Sequence, residues 1–149
     1  MCYNANANKM PIKDDSVDCI ITSPPFWNIE KYESCEGQLS DIGDYDDFLE
    51  EYQLCLNDCY RVMKPGGIAI FVVNDFRKSP SKNEPSKLIR FSRDTELCME
   101  KAGFDVYDII INFLYSTPSV IGVNRLAEEK RVVKSHEYIL VFRKPDEDE

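Results

Sequence analysis

The most constraining feature of this chain is an unbroken run of six apolar residues, from Ile68 to Val73. A strand that is buried on both faces is continuously apolar in this way, which is typical of the centre of a parallel sheet. The run follows Lys64-Pro65-Gly66-Gly67, a sequence that ends helices, and it is followed by Asn74 and Asp75. The sequence therefore predicts a central strand with polar groups at its carboxyl end.

Two amphipathic helices are predicted on either side of this strand. The first begins at Asp44, an N-cap, with Asp46 and Asp47 in the first turn, where the helix dipole favours acidic groups. Its apolar residues recur at helical spacing, namely Tyr45, Phe48, Leu49, Tyr52, Cys55, Leu56, Cys59 and Met63. The second helix is predicted to place on one face Leu88, Phe91, Thr95, Cys98, Met99 and Ala102. Gly103 is the predicted C-cap of this second helix.

Three further strands complete the pattern, at Val17 to Ile21, Val106 to Leu114 and Glu137 to Phe142. Residues 77–86 are rich in Ser, Pro and Lys and are predicted to form a loop, and a second long loop separates the last two strands. Alternation of strands and helices is typical of an α/β fold with a parallel sheet and right-handed crossovers. We expect a single domain, 1–149, whose four strands and two long helices form only part of a doubly wound sheet.

The first predicted strand leads directly into Thr22-Ser23-Pro24-Pro25-Phe26. Two consecutive prolines have no backbone N–H, and the first of them holds Ser23 extended. The segment therefore offers carbonyl acceptors, a hydroxyl and an aromatic ring at the edge where ligands bind in open α/β sheets. A planar base with an exocyclic amino group would suit it. The alternatives are a strand followed by a rigid turn with a core phenylalanine or, less favoured, a proline-rich peptide ligand.

The charge is strongly acidic but unevenly distributed. The 149 residues carry 18 basic and 27 acidic side chains, a net charge of −9, which argues against broad electrostatic adhesion to nucleic acid. Two stretches are nevertheless basic, one from Arg77 to Arg93 and one from Arg125 to Lys134. Each is either a solvated face or a site for phosphate groups.

Six cysteines are scattered without a CxxC pair, and His136 is the only histidine. We therefore expect no metal site and no Cys–His catalysis, and we interpret His136 as a polar residue at the start of the last strand. Cysteines on apolar faces indicate a reducing, cytoplasmic compartment. No apolar run is long enough to cross a membrane, and no signal peptide is apparent, so we expect no membrane partner.

Several segments, in their order along the chain, resemble the DNA amino-methyltransferases, the enzymes that methylate N4 of cytosine or N6 of adenine. The segment from Asp14 to Trp27 resembles their catalytic strand and its D/N/S-P-P-Y/F/W tetrapeptide. The matching segments downstream are Gly37-Gln38-Leu39, Arg61 to Gly67, Asn74 to Arg77, Ala102-Gly103-Phe104, Asp108 to Ile111 and Ser135 to Lys144. The resemblance implies a partial Rossmann-like class I methyltransferase sheet, mostly parallel with an antiparallel last strand.

The resemblance also implies roles for the tetrapeptide. Ser23 and the Pro24 carbonyl would accept hydrogen bonds from the target amino group, with Pro25 shaping the turn. Phe26 would stack on a base that has left the duplex. The methyl group would come from S-adenosyl-L-methionine by direct displacement, and a serine in the first position is commoner among the cytosine-N4 enzymes.

Further roles follow for flanking residues. Asn6, Thr22 and Ser23 are candidate cofactor-binding residues, although Asn6-Ala7-Asn8 stands where the family usually has Asp-Ala-Arg or Gly-Asp. Trp27 either holds the displaced base or packs beside the loop. Arg77 and Lys78 are candidate phosphate contacts, and the loop from Ser116 to Ser135 is a candidate target-recognition segment.

One part of the family pattern is absent, because the sequence has no F-x-G-x-G-like loop for the cofactor. The chain is therefore interpreted as the catalytic half of a methyltransferase that acts on DNA. A companion chain, a missing segment or a homodimer would complete it. The alternatives are a non-catalytic methyltransferase-like binding module and, less favoured, an RNA methyltransferase.

Overall fold

The computed structural model describes residues 2–29, 37–78, 80, 85–114, 130 and 134–146. The strands are β1 (Val17–Thr22), β2 (Met63–Val73), β3 (Phe76–Lys78), β4 (Lys87–Ile89), β5 (Asp105–Phe113) and β6 (His136–Arg143). The α-helices are α1 (Tyr45–Val62) and α2 (Phe91–Ala102), and a 3-10 turn spans Leu39–Asp41. Neither described α-helix has the length and apolar composition that a bilayer crossing requires.

Four strands form the main sheet in the order β1-β2-β6-β5. β1 pairs with β2 in parallel, and β6 lies antiparallel to both of its neighbours. Three strands therefore run in one direction and the last strand of the chain runs against them. The predicted fold class is confirmed: an α/β fold with a partial sheet and an antiparallel last strand.

Helix α1 begins and ends close to the predicted positions. The Asp44 side chain accepts hydrogen bonds from the backbone N–H groups of Asp46 and Asp47, as expected of an N-cap. The segment after the helix is extended and belongs to β2. Residues 64–67 form an irregularity inside this strand, since Val17 pairs with Met63 but Cys19 pairs with Ile68. The predicted turn at Lys-Pro-Gly-Gly is therefore a bulge within a strand.

Helix α2 starts three residues later than its apolar pattern suggested. Leu88, predicted to lie on its buried face, belongs to β4 and is 46% exposed. Gly103 is confirmed as the C-cap, with a φ of +110°, a conformation that glycine adopts without strain.

The predicted loop at residues 77–86 overlaps a short antiparallel hairpin. Its first two residues belong to β3, which pairs with β4 directly after it. The pairs of the hairpin are Phe76 with Ile89, Arg77 with Leu88, and Lys78 with Lys87. The strands were missed because three residues each are too few to show an alternating pattern.

One face of the sheet carries the hydrophobic core. Ala69, Phe71 and Val73 of β2 point toward this face and are at most 2% exposed. Both α-helices pack on it, contributing Phe48, Tyr52 and Leu56 from α1 and Phe91 and Met99 from α2.

The opposite face of the sheet is also apolar but less covered. Its paired residues run across the strands as Ile21, Ile70 and Val141, and as Val72, Ile139 and Ile110. Ile21 is 72% exposed and Ile110 is 47% exposed. Parallel sheets are normally covered on both faces, so the described residues supply one of two layers.

The edge of the sheet where β1 and β2 begin, the amino edge, is closed by ion pairs. Buried Lys144 donates from Nζ to Asp15 Oδ1 and to the carbonyls of Tyr60 and Met63, at 2.7 to 2.9 Å. Arg61 binds the carboxylates of Asp58 and Asp14 and the carbonyls of Met10 and Ile12. These contacts fix the end of α1 to the segment that leads into β1.

Candidate active site

The Ser-Pro-Pro-Phe turn lies where β1 ends, at the opposite edge of the sheet, which we call the carboxyl edge. Ser23 is exposed and its hydroxyl forms no hydrogen bond with any described residue, whereas Pro24 is buried. Phe26 is partly buried, with its ring 5.8 Å from that of Phe91 in an edge-to-face arrangement. The turn is therefore rigidly seated while the Ser23 hydroxyl faces solvent.

Trp27 continues the turn into the protein interior. It is 4% exposed, has a φ of +53°, and donates from Nε1 to the Ile42 carbonyl at 2.9 Å. Its ring stacks against Phe76 at 6.3 Å between centroids. Of the two interpretations of Trp27, this geometry supports packing beside the loop.

An apolar cavity of about 320 Å³ extends from the turn along the inner side of β1. Its lining includes Thr22, Ser23, Pro24 and Pro25, together with apolar residues of α1 and of the segment 7–12. Burial raises the pKa of two of its thiols, to about 11 for Cys55 and about 12 for Cys59. Protonated thiols are poor nucleophiles, so these cysteines are unsuited to covalent catalysis.

A second cavity, of about 330 Å³, meets the first at Pro25 and is lined by amides. Asn4, Asn6 and Gln38 supply its polar groups. Gly37 forms part of the wall with a φ of +81°, and a Cβ at this position would approach Asn6 Nδ2 to 3.0 Å. Asn6, predicted from the sequence, thus lies beside the turn, and Gln38 is a polar neighbour that sequence reasoning did not assign to the site.

The carboxyl end of β2 is anchored to α2. Asp75 Oδ1 accepts hydrogen bonds from the backbone N–H and the hydroxyl of Ser92, at 3.0 and 2.7 Å, so it satisfies the helix N-terminus. Lys134 Nζ donates to the Asp75 carbonyl at 2.7 Å, and burial lowers the pKa of Lys134. Asp75 therefore has a structural role at this edge.

Arg77 and Lys78, the predicted phosphate contacts, are both exposed on β3. Lys78 Nζ lies 5.9 Å from the centroid of the Trp27 ring, within cation–π range. The hairpin therefore lies against Trp27, the residue that follows the turn. The predicted target-recognition loop from Ser116 to Ser135 lies almost wholly outside the described residues.

Comparison with known proteins places this arrangement in a family. Residues 17–148 match the model of the N6/N4 methyltransferases, described as DNA methylase. The chain belongs to the DNA methylase family. The match covers both the turn after β1 and the antiparallel last strand, so the resemblance found in the sequence is confirmed.

Individual relatives agree with this assignment. The type II methyltransferase M.MthZI of Methanothermobacter thermautotrophicus is 26% identical over 95% of this chain and 43% of its own length. The Thermus thermophilus protein TTHA0409, solved in complex with S-adenosyl-L-methionine, superposes with a TM-score of 0.66 at 25% identity, over 94% of this chain and 51% of that one. PvuII DNA methyltransferase (cytosine-N4-specific) shares the fold, with a TM-score of 0.65 at 15% identity, over 97% of this chain and 49% of that one. The chain thus spans about half the length of the relatives it matches.

Proposed function

We propose that this DNA methylase chain is the amine-binding half of an enzyme that transfers a methyl group from S-adenosyl-L-methionine to an exocyclic amino group of a DNA base. The observation that carries the proposal is the Ser-Pro-Pro-Phe turn at the carboxyl edge. Its hydroxyl is exposed, its prolines lack N–H donors, and it is seated on an aromatic cluster. A site rich in acceptors and fixed in position suits a substrate that presents two N–H donors.

Ser23 and the Pro24 carbonyl are proposed to accept the two hydrogens of the target amine. This arrangement draws the nitrogen lone pair out of conjugation with the ring, so that the nitrogen becomes nucleophilic. S-adenosyl-L-methionine, when bound beside the amine, would supply a methyl group from its sulfonium, and the amine would lose one proton to solvent as the N–C bond forms and the S–C bond breaks. Holding the two reactants in line accounts for much of the rate in such a displacement.

Phe26 and Pro25 are proposed to position the base rather than to react with it. Phe26 lies against Phe91, so only part of its ring is available to a base that leaves the duplex. The serine in the first position of the tetrapeptide favours cytosine N4 over adenine N6, since serine is commoner there among the cytosine enzymes.

The amide-lined cavity fits one portion of the cofactor. Asn4 and Asn6 carry side-chain amides with both donor and acceptor atoms, which the edge of an adenine ring requires, and Thr22 and Ser23 lie across Pro25 from them. The Gln38 amide in the same wall donates to Ser40 Oγ and Asp41 Oδ1. The sequence contains no glycine-rich loop that would let the backbone approach the remainder of the cofactor. We therefore propose that these residues form one wall of the cofactor site.

The second wall is proposed to come from a polypeptide segment outside residues 1–149. Two features support this proposal. Among the described residues, β1 pairs with a strand on one side only, and the less covered apolar face begins on it at Ile21. A segment that added a strand beside β1 would pair with its other side, and a helix over Ile21 and Ile70 would cover the apolar face.

The test is calorimetric titration with S-adenosyl-L-methionine, followed by methylation of DNA with a labelled methyl donor and mass spectrometry of the digested product. We expect binding and N4-methylcytosine, from the chain alone or with a segment that corresponds to the rest of a relative. Ser23→Ala should lower turnover on the order of 100-fold with little change in cofactor affinity. Equal losses in both quantities would contradict the role given to Ser23, and a predominant N6-methyladenine product would overturn the base preference.

The missing glycine-rich loop also favours a second candidate, a non-catalytic methylase-like binding module. This candidate predicts no cofactor binding with or without the added segment. Such a result would overturn the enzyme proposal.

A further inference from the structure

Strand β5 forms the end of the sheet farthest from β1, and its exposed residues are strongly apolar. Among the described residues, it pairs with β6 on one side and with no strand on the other. Its three consecutive isoleucines, Ile109, Ile110 and Ile111, are 44%, 47% and 55% exposed. Ile109 pairs with buried Leu140 and so lies with Ile111 on the face that carries the core, whereas Ile110 lies on the opposite face. Apolar side chains are therefore exposed on both faces of this strand.

The second half of β5 lacks the features that usually keep an edge strand from pairing with another chain. Soluble proteins protect such edges with lysine, proline or a bulge. In β5 the register with β6 shifts between Val106 and Asp108, but from Asp108 onward the pairing is regular. Residues 108–113 include no lysine, arginine or proline. This half of the strand can therefore accept a further strand beside it.

The same residues are complementary to themselves when two copies of β5 run antiparallel. If a twofold axis passes through the pair formed by Ile110 and its counterpart, Ile109 opposes Ile111 and Asp108 opposes Asn112 of the other copy. Apolar residues then face apolar residues, and the one acidic residue faces an amide. Opposed residues share a face of the sheet, so the neighbouring registers differ by two residues. Those registers would place Asp108 or Asn112 opposite Ile110.

The hydrogen bonds of the two polar residues fit this register. Asn112 Nδ2 donates to Glu137 Oε1 at 2.7 Å, which fixes the amide and leaves its second N–H for another acceptor. Asp108 Oδ1 accepts from the backbone N–H of Ile109 at 2.8 Å, and the second carboxylate oxygen can accept from Asn112 of the other copy. The polar pair therefore needs no change in the contacts that each residue makes within its own chain.

We propose that two copies of this chain associate through antiparallel pairing of β5, in the register centred on Ile110, so that their two four-stranded sheets become continuous. The second wall proposed above pairs with β1, at the other end of the sheet, and so leaves β5 available. A twofold contact of one edge with itself is closed, because it uses both edges and does not propagate into a filament.

This interface lies apart from the candidate active site and goes beyond the proposed function. β1 and β5 are three strand spacings apart, about 14 Å, so the Ser23 turn is not covered by the second copy. The twofold axis is perpendicular to the sheet, which places the helices of both copies on the same face. The two Ser23 turns then lie at opposite edges of the combined sheet, and each remains open to its own substrate.

The first experiment is sedimentation velocity of the unchanged chain at concentrations up to about 200 μM, which detects dissociation constants in the micromolar range. We expect a concentration-dependent species with the mass of two chains. Ile110→Asp places two carboxylates directly opposite one another and should raise the dissociation constant at least about 100-fold. The matched control is Leu54→Asp on α1, which introduces the same charge at a leucine that is also 47% exposed and should leave the dissociation constant within about 2-fold.

The second experiment tests the register by disulfide cross-linking under mild oxidation. Directly opposed residues have Cα atoms about 4.5 to 5.5 Å apart, which is within the range of a disulfide, so Ile110→Cys should form a covalent dimer. Asn112→Cys is the matched control on the same face of the same strand, because its own counterpart would lie about 14 Å away. Yields are compared with that of the unchanged chain, since Cys2 and Cys19 are exposed.

Each contrary result overturns a defined part of the proposal. A chain that remains monomeric at the highest concentration, or that forms only larger aggregates without a discrete dimer, overturns the association. A dimer that persists in Ile110→Asp, or that is lost equally in Leu54→Asp, overturns β5 as its interface. Equal cross-linking of Asn112→Cys and Ile110→Cys overturns the register. None of these results affects the role proposed for Ser23.

Discussion

The polar groups at the two edges of the sheet differ in how many of them are bound within the protein. At the amino edge, Lys144 and Arg61 are bound to carboxylates and to backbone carbonyls. At the carboxyl edge, Asp75 is hydrogen-bonded to Ser92, but Ser23 is exposed without a hydrogen-bond partner among the described residues. The difference teaches that the amino edge is closed by its polar contacts, whereas the carboxyl edge combines the structural contacts of Asp75 with an unbonded hydroxyl at the turn.

The largest effect is expected where a buried cation closes the amino edge. Lys144→Met should lower the free energy of unfolding by about 3 kcal/mol, because two buried carbonyls lose a charged donor. Chemical denaturation measures this change. The matched control is Lys64→Met at an exposed pair with Asp18, where the change should stay within about 0.5 kcal/mol. A loss below about 1 kcal/mol at Lys144 would contradict the structural role of this edge.

A smaller loss is expected at Gly103, which lies against the same cluster. Its φ is +110°, and a Cβ there would come within 2.9 Å of Tyr60 Cε2, the ring that Lys144 also contacts. Gly103→Ala should therefore cost about 2 kcal/mol. Gly43→Ala, with no atom within 4 Å of the added Cβ, should leave the melting temperature nearly unchanged. Equal losses of stability in the two glycine variants would contradict the role given to the backbone conformation of Gly103 and its contact with Tyr60.

The amino edge should also make stability depend on pH. Hydrogen bonds from Arg61, and one from the Met10 backbone N–H, hold the pKa of Asp58 below its ordinary value of 3.8. The stabilisation is therefore complete well above that value and is lost as the pH falls through it toward the lowered pKa. Denaturation curves between pH 7 and about pH 3 should show a steeper acid-side loss in the unchanged chain than in Asp58→Asn. Parallel curves for the two proteins would count against the Arg61 contact.

The smallest effect on stability is expected at the carboxyl edge. Ser23→Ala should change the free energy of unfolding by no more than about 0.5 kcal/mol, because the hydroxyl is exposed and has no partner among the described residues. Calorimetric melting provides the measurement. A loss comparable to that of Lys144→Met would mean that both edges are structural, and the contrast between them would disappear.

Local signals account for the parts of the fold that sequence reasoning predicted. The Asp44 N-cap, the Gly103 C-cap and the apolar run at 68–73 each depend on residues close together in the chain, and each is found in the structure. The antiparallel last strand came from the family resemblance, since periodicity does not indicate strand direction. The family match of residues 17–148 confirms that resemblance.

Contacts between distant segments account for the structural features that the sequence did not predict. The hairpin depends on pairing between residues 76–78 and 87–89, and neither strand is long enough to show a pattern. The burial of Trp27 depends on Phe76 and on the Ile42 carbonyl, which the sequence around Trp27 does not reveal. The amide-lined cavity joins the irregular segment at Asn4 and Asn6 to Gln38, more than thirty residues away.

The position of Trp27 gives the protein an intrinsic optical reporter. It is the only tryptophan in the chain, it is 4% exposed, and Lys78 lies over its ring. Its fluorescence emission should therefore be blue-shifted in the folded protein and should respond when the hairpin above it moves or the lysine is neutralised. Events at the carboxyl edge can thus be followed without attaching a label, and independently of any methyl transfer.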